Sequence, residues 1–138
     1  MATALVIEDD DDIRGLLEVI LEQAGYAVTA TATGAAGMEA LAMQEPDLLL
    51  VDVGLPDVEG YDLVRQARSR ISGHIVMLSA RSQESDAQRG LAAGADEYLT
   101  KPFRPRELRE QLAEIVARPV GSIERRALER ESDTSPVH

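Results

Sequence analysis

The sequence has 138 residues, which suits one domain because single cores commonly reach roughly 100–200 residues before a chain divides. Its 25 acidic residues outnumber 14 basic ones, and the formal charge of −11 excludes broad binding to nucleic acids or anionic membranes, which need cationic surface. The absence of cysteine excludes disulfides and thiolate metal sites. With no signal peptide or membrane-length apolar segment, we expect a cytoplasmic protein whose partners are proteins or cations.

The first predicted helix carries a clear apolar periodicity. Apolar residues from Ile13 to Leu21 recur at the spacing i, i+3, i+4, i+7 and i+8, and Gly25 suits a helix end. Acidic residues are favoured at the amino terminus of a helix, and we expect Asp11 or Asp12 to cap this one. The sequence therefore predicts an amphipathic helix directly after the first apolar segment.

Strand and helix patterns alternate along the rest of the chain. Five segments have the length and composition of strands, at 4–7, 27–30, 48–52, 75–78 and 97–100. Further helical patterns occupy 34–44, 61–70 and 84–93, and a last helix begins at Pro105 and ends before Pro119. Five strands alternating with five helices predict a doubly wound α/β fold, in which helices cover both faces of a parallel sheet.

We assign residues 1–118 to this domain. Residues 119–138 are polar and mixed in charge, so we expect a linker or tail in which 122–131 forms a short helix and the end is disordered. His74 and His138 have no partners at metal-ligand spacing, and we expect both to be exposed polar residues.

Three predicted strands end in polar side chains. Glu8 and Asp9 follow the first strand, Asp52 ends the third, and Ser79 follows the fourth. Ligands bind at the carboxyl ends of the strands in such sheets, so we expect one pocket. Carboxylates this close raise one another's pKa unless a cation compensates. Mg²⁺ fits better than Ca²⁺, because it needs only one or two carboxylates together with waters and a phosphate.

The composition of this pocket predicts phosphoryl chemistry. Asp52 stands alone at its strand end, and a metal ion beside it would make its carboxylate a suitable nucleophile toward a phosphoryl group. Lys101 is the only lysine in the chain, and its ammonium suits a phosphoryl oxygen or Asp52 itself. Ser79 provides a hydroxyl donor for a second oxygen.

Several short motifs follow one another along the chain. They are Glu8-Asp9, Asp52 with Pro56 and Gly60, Ser79-Ala80, Gly-Ala-Asp-Glu-Tyr at 94–98, and Lys101-Pro102-Phe103. In this order and spacing they resemble a response-regulator receiver domain, the CheY-like fold, over roughly residues 3–118. The resemblance is nearest to receivers of the winged-helix (OmpR/PhoB-like) subfamily. It implies a flavodoxin-like parallel sheet with the strand order 2-1-3-4-5.

The resemblance implies a role for each pocket residue. Asp52 accepts a phosphoryl group from a histidine kinase. Glu8, Asp9, Asp52 and the carbonyl oxygen of Gly54 surround Mg²⁺, for which Mn²⁺ can substitute. A cis peptide bond after Lys101 directs the lysine inward. The chain is then a cytoplasmic regulatory domain and not an enzyme, with chemistry limited to its own phosphorylation and dephosphorylation.

The resemblance also implies an output surface. Phosphorylation draws Ser79 inward and Tyr98 follows, which reshapes the face formed by the fourth helix, the fifth strand and the fifth helix. That face acts on a downstream protein or an output domain. In the winged-helix subfamily it forms homodimers through ion pairs, and Arg89 with Glu107 matches one such pair.

Three positions depart from or vary within the family pattern. Glu97 stands at the acidic position of a second interface pair, but Gln111 replaces the expected arginine. Exposed ion pairs contribute only about 0–1 kcal/mol each. Gly54 and Arg81 occupy positions that tune the access of water to the phosphoryl group, and Gly54 leaves that group uncovered whereas Arg81 can cover it.

Other functions fit the sequence less well. A phosphatase of the haloacid-dehalogenase type also uses a strand-end aspartate and Mg²⁺, but it needs a second acid where Gly54 stands. A calcium-binding loop counted from Glu8, Asp9 or Asp10 lacks the full set of glycine and terminal glutamate. A receiver fold that acts as an interaction module without phosphorylation remains as an alternative, although all five pocket side chains are present.

Overall fold

The computed structural model describes residues 1–81 and 83–121 of the chain, and within them strands and helices alternate strictly. The strands are β1 (Thr3–Ile7), β2 (Ala27–Thr31), β3 (Leu48–Asp52), β4 (His74–Ser79) and β5 (Glu97–Thr100). The helices are α1 (Asp11–Gln23), α2 (Gly34–Met43), α3 (Gly60–Arg68), α4 (Glu84–Ala93) and α5 (Pro105–Ala117). The predicted number and order of elements are confirmed.

The strands form one parallel sheet with the order β2-β1-β3-β4-β5, as predicted. The register pairs Ile7 with Val51, so Glu8 and Asp52 follow neighbouring positions at the same edge of the sheet. Asp52 in turn pairs with Leu78, which places Ser79 just beyond it. The backbone register alone therefore brings the ends of three strands together.

The central strands are apolar because both of their faces are covered. Successive side chains of a strand point to opposite faces, and residues 48–51 are fully buried. Leu49 and Val51 pack in the layer below α2, α3 and α4, whereas Leu48 and Leu50 pack in the layer below α1 and α5. These two cores hold the sheet rigidly behind its carboxyl edge.

Helix α1 begins one or two residues earlier than the expected caps imply. Asp10, and not Asp11 or Asp12, is the capping residue: its Oδ1 accepts hydrogen bonds from the backbone N–H groups of Asp12 at 2.9 Å and Ile13 at 3.0 Å. The prediction was wrong because several consecutive acids offer equivalent side chains, and only the extended backbone at Asp10 selects among them.

Asp57 connects the loop after β3 to helix α2. Its two carboxylate oxygens accept the backbone N–H groups of Gly34 at 2.8 Å and Ala35 at 2.9 Å. These hydrogen bonds hold the pKa of Asp57 below its ordinary value of 3.8. A side chain distant in sequence thus helps to cap α2, and the contact fixes the loop that follows the phosphoryl-acceptor candidate.

The structure corrects two further expectations. Helix α3 ends at Arg68 instead of continuing to residue 70, and the Arg68 guanidinium binds the carbonyl oxygens of Ile71 and Gly73 in the turn that follows. His74 is partly buried, with its Nε2 atom 2.6 Å from the carbonyl oxygen of Arg118, so the expectation of an exposed histidine was wrong. Sequence spacing could not reveal a partner 44 residues away.

The last part of the chain carries predictions that stay open. The predicted helix at 122–131 and the exposed position of His138 lie outside the described residues. The division into a domain at 1–118 and a tail at 119–138 stays a prediction. Among the helices that the structure describes, none has the length and apolar composition needed to span a membrane.

Candidate functional site

Three carboxylates meet at the carboxyl edge of β1 and β3. Glu8, Asp9 and Asp52 each offer one oxygen, and these oxygens all lie within 4.8 Å of one another. Glu8 is 0% exposed and Asp52 is 5% exposed, whereas Asp9 faces solvent. The three acids therefore form one cluster, as the sequence predicted, with two of them sheltered from water.

Lys101 lies between the two buried acids. Its Nζ atom is 2.7 Å from Glu8 Oε1 and 3.1 Å from Asp52 Oδ1. The peptide bond between Lys101 and Pro102 is cis, as the resemblance implied. Within the described residues, Glu8 Oε1 makes no hydrogen bond of good geometry, and its close partner is the Lys101 ammonium, with which it forms an ion pair. One cation thus compensates two carboxylates.

Burial and pairing shift the protonation equilibria of this group. Burial raises the pKa of Glu8, and the nearby charge of Asp52 raises it further, against the opposing effects of the Lys101 ammonium and of the hydrogen bond from the Asp10 N–H group. Burial alone would lower the pKa of Lys101, but Glu8 and Asp52 outweigh it and the net pKa is raised. Lys101 therefore stays charged at neutral pH.

The donor set fits a hard divalent cation. Three carboxylate oxygens within 4.8 Å of one another provide the ligands that Mg²⁺ prefers, and one of the three acids reaches solvent, which leaves room for coordinated water. Arg14 stabilises the loop that carries them, since its guanidinium donates to the backbone oxygens of Glu8 at 3.0 Å and Asp9 at 3.4 Å.

Ser79 and Tyr98 meet at the peptide groups of Arg81. The backbone N–H of Arg81 donates to Ser79 Oγ at 2.9 Å, and the Tyr98 hydroxyl donates to the carbonyl oxygen of Arg81 at 3.0 Å. Ser79 is also tied to the lysine loop, because the Lys101 N–H donates to the Ser79 carbonyl oxygen at 2.7 Å. The two predicted switch residues are therefore linked through the main chain of Arg81.

Two glycines shape the surroundings of Asp52. A Cβ atom at Gly54 would lie 4.0 Å from Asp52 Oδ2, so the glycine leaves that side of the carboxylate open. A Cβ atom at Gly60 would lie 2.4 Å from the Asp52 carbonyl oxygen and 2.7 Å from Val53 Cα, so only glycine allows α3 to start this close to β3. The second glycine holds the backbone of the candidate acceptor in place.

The predicted interface residues lie on α4, β5 and α5, and each charged one has a partner within the chain. Arg89 lies 3.4 Å from Glu59 and 4.2 Å above the ring centre of Tyr61. Glu107 is 3.7 Å from Arg104, and Glu97 is 3.3 Å from Arg118. Gln111 is exposed.

Sequence reasoning missed Glu59, which also lies 3.8 Å from Arg81. It also missed the role of Arg118, which begins a stretch of mixed charge. Neither residue belongs to a motif, and each pairs with a side chain more than twenty residues away in the sequence. Only the fold brings these partners together.

Comparison with known proteins agrees with the family resemblance that the site indicates. The sequence model of a family described as "Response regulator receiver domain" matches residues 4–113. The transcriptional regulatory protein CseB of Streptomyces coelicolor is 46% identical over 99 residues, which cover 72% of this chain and 42% of CseB. The KDP operon transcriptional regulatory protein KdpE of Escherichia coli is 41% identical over 112 residues, which cover 81% of this chain and 50% of KdpE.

A solved structure shows the same likeness. The CheY-like response regulator receiver domain protein from Methanospirillum hungatei matches with a TM-score of 0.79 at 31% identity, covering 91% of this chain and 98% of the other. The curated relatives are of the OmpR/PhoB type, as the sequence resemblance indicated. The chain spans about half the length of the curated relatives that it matches.

Proposed function

Because the chain belongs to the response regulator receiver domain family of two-component signalling, with a regulatory and not a catalytic role, we propose that Asp52 is its phosphoryl acceptor. One observation carries the proposal: the sheltered Asp52 carboxylate lies between an acidic cluster and the Lys101 ammonium at the carboxyl edge of the sheet. This arrangement supplies a nucleophile, ligands for a cation and a fixed positive charge at one point.

The metal ion of this site is Mg²⁺, or Mn²⁺ in its place. Glu8, Asp9 and Asp52 would hold it together with the carbonyl oxygen of Gly54. When bound, the ion neutralises charge on the transferred phosphoryl oxygens. The position of Asp9 at the solvent-facing side of the cluster supports this assignment, because Mg²⁺ retains several waters.

Phosphoryl transfer forms a mixed anhydride on Asp52. A carboxylate oxygen of Asp52 bonds to phosphorus while the bond from phosphorus to the donor breaks, either to the imidazole nitrogen of a histidine kinase's phosphohistidine or to the acetate oxygen of acetyl phosphate. The leaving group keeps the bonding electrons: the imidazole nitrogen takes up a proton from solvent, whereas acetate leaves as the anion. The Lys101 ammonium, now free of Asp52 Oδ1, binds a phosphoryl oxygen.

The new phosphoryl group changes the contacts of Ser79. The serine hydroxyl donates to a phosphoryl oxygen and withdraws from the N–H group of Arg81. The Arg81 peptide moves with it, which removes the present acceptor of the Tyr98 hydroxyl. Tyr98 then turns inward, and the face built from α4, β5 and α5 changes shape.

This reshaped face contacts a downstream protein, an output domain or a second copy of the chain. The phosphoryl donor is a histidine kinase, and we place the reaction in the cytoplasm, where ATP supplies such kinases. Water attack on the acyl phosphate ends the signal, at a rate that depends on Gly54 and Arg81. The rival role, an interaction module without phosphorylation, has no comparable explanation for Lys101 and its two buried acids.

Intact mass measured after incubation with acetyl phosphate tests the proposal. The native chain should gain one phosphoryl group when Mg²⁺ is present and none when the metal is chelated. Asp52→Asn should gain none under either condition, whereas Asp62→Asn should behave like the native chain, because Asp62 lies on α3 in an exposed ion pair with Arg65. Equal gain by Asp52→Asn would overturn the proposal.

A further inference from the structure

After α5 the chain crosses the amino-terminal edge of β4 and β5. We call residues 118–121 the strap. The Arg118 carbonyl oxygen is 2.6 Å from His74 Nε2 at the start of β4, and the Arg118 guanidinium is 3.3 Å from Glu97 at the start of β5. The Gly121 N–H donates to Asp96 Oδ1 at 2.5 Å. Both ends of the strap are thus bound to the sheet edge.

Asp96 is the anchor of the strap. Its side chain is sheltered, with the residue 5% exposed, and Oδ2 accepts from the Ile75 N–H at 2.8 Å and from Arg68 Nη1 at 3.1 Å. Gly121 satisfies the other oxygen, Oδ1. Hydrogen bonds to a charged acceptor are stronger than neutral ones. Gly121 has φ 80°, a conformation that suits glycine and few other residues.

Glu97 connects the strap to Tyr98, one of the two predicted switch residues. One of its carboxylate oxygens, Oε1, accepts from the backbone N–H of Tyr98 at 3.1 Å, and the other, Oε2, faces the Arg118 guanidinium at 3.3 Å. The carboxylate is about three-quarters shielded from solvent, with a side-chain exposure of 26%. A movement of the Tyr98 main chain therefore reaches Arg118 through a single side chain.

We propose that the amino-terminal edge of β4 and β5 is a binding surface for the strap, and that Glu97 transmits the state of Asp52 to the chain beyond Gly121. The inference rests on the proposed function, since Tyr98 moves only if Asp52 is phosphorylated. In the unphosphorylated protein the strap is bound. When Tyr98 turns inward, the β5 main chain at Tyr98 adjusts to the new side-chain position, the Tyr98 N–H group shifts the Glu97 carboxylate that it binds, Arg118 loses its partner and the strap loosens.

Amide hydrogen exchange on the full 138-residue chain tests the bound state. The Gly121 N–H should exchange about tenfold or more slowly than a free amide, as expected for a hydrogen bond to a charged acceptor. Glu97→Gln should speed this exchange several-fold. Glu110→Gln, the same change in an exposed ion pair on α5, should leave it unaltered. A Gly121 amide that exchanges at the free rate overturns the proposal.

The second arm adds beryllofluoride and Mg²⁺, a phosphoryl mimic, and follows its binding by the fluorine NMR signal. Bound beryllofluoride should speed Gly121 exchange about tenfold. Asp52→Asn should show neither the fluorine signal of the bound mimic nor the faster exchange of Gly121. If the mimic binds and Gly121 exchange stays unchanged or slows, the strap proposal fails while the proposed function stands. If the mimic does not bind the native chain, the strap proposal and the proposed function both fail.

Discussion

Lys101 determines the charge balance of the pocket at the scale of single residues. It is the close cation of two buried carboxylates, and in the proposed mechanism it leaves Asp52 when the phosphoryl group arrives. The removal of one partner from a buried charged group leaves the others without compensation. In that mechanism the residue serves stability before phosphorylation and the switch afterwards.

Lys101→Ala should lower the free energy of unfolding in the absence of Mg²⁺ by about 1–3 kcal/mol, because Glu8 and Asp52 lose their cation. Added Mg²⁺ should recover most of the loss. The variant should still accept a phosphoryl group from acetyl phosphate, but without the change in Tyr98. Denaturant unfolding with and without Mg²⁺, intact mass and the Tyr98 NMR signals measure these effects.

Arg106→Ala is the control for this prediction, because Arg106 is a cation on α5 whose side chain is 91% exposed. It should change neither stability nor its dependence on Mg²⁺. If Lys101→Ala and the native protein had the same free energy of unfolding in the absence of Mg²⁺, the assigned role of the lysine would be contradicted.

Asp57 makes a pH-dependent contribution to stability. Its pKa is lowered in the folded protein by the N–H groups of Ala35 and Gly34, so the folded state binds fewer protons than the unfolded chain. The contribution is therefore present above the ordinary pKa of 3.8 and is lost as pH falls through the lowered value. Asp57→Asn should be less stable than native near pH 7, and the difference should shrink below about pH 4.

Denaturant unfolding of both proteins from neutral pH into the acid range gives this difference directly. A difference between native and Asp57→Asn that grows as pH falls would contradict a lowered pKa for Asp57.

At the scale of elements, the register of β1, β3 and β4 creates the site. The sequence predicted this well, because strands buried on both faces appear as apolar runs and the residue after each run is polar. Helix caps and long-range ion pairs were harder to predict from the sequence. Asp10 is one of several equivalent acids in the sequence, and the pairing of Asp96 with Arg68 depends on a fold that joins residues 28 positions apart.

Gly60 links the start of α3 to the backbone of Asp52. Gly60→Ala should lower the free energy of unfolding by about 1–3 kcal/mol, because the new Cβ meets backbone atoms that cannot move independently. The same displacement should slow phosphoryl acceptance by Asp52. Thermal unfolding and the rate of mass gain with acetyl phosphate measure both effects.

Gly15→Ala, in α1, is the control for Gly60→Ala, because Gly15 has space for a Cβ atom. A Cβ atom there would meet nothing within 4 Å, and alanine should stabilise the helix by about 0.5–1 kcal/mol. Phosphoryl acceptance should stay native. If Gly60→Ala matched Gly15→Ala in stability and rate, the close contact between α3 and β3 would not constrain the site.

At the scale of the whole molecule, the predicted interface charges on α4, β5 and α5 have partners within the chain. Arg89 is paired with Glu59, and Glu97 with Arg118, so charges suited to a second copy already have partners. We therefore expect little association before activation. In the proposed switch, phosphorylation changes this balance through Tyr98, which lies on β5.

Gln111→Arg should strengthen dimers of the beryllofluoride-activated protein, because it supplies the arginine expected opposite Glu97. Each exposed pair contributes about 0–1 kcal/mol, and a symmetric dimer has two, so the gain should not exceed roughly thirtyfold. Gln111→Glu should weaken association. Sedimentation velocity measures both, and equal behaviour of the two variants would contradict a dimer through this face.

The most direct test of Asp52 as the acceptor identifies the phosphorylated atom. The chain is phosphorylated with acetyl phosphate and Mg²⁺, reduced with borohydride, which converts an aspartyl phosphate to homoserine, and mapped by peptide mass spectrometry. We predict homoserine at position 52 alone. Homoserine at another aspartate, or a phosphoryl group that borohydride does not reduce, would contradict the assignment of Asp52.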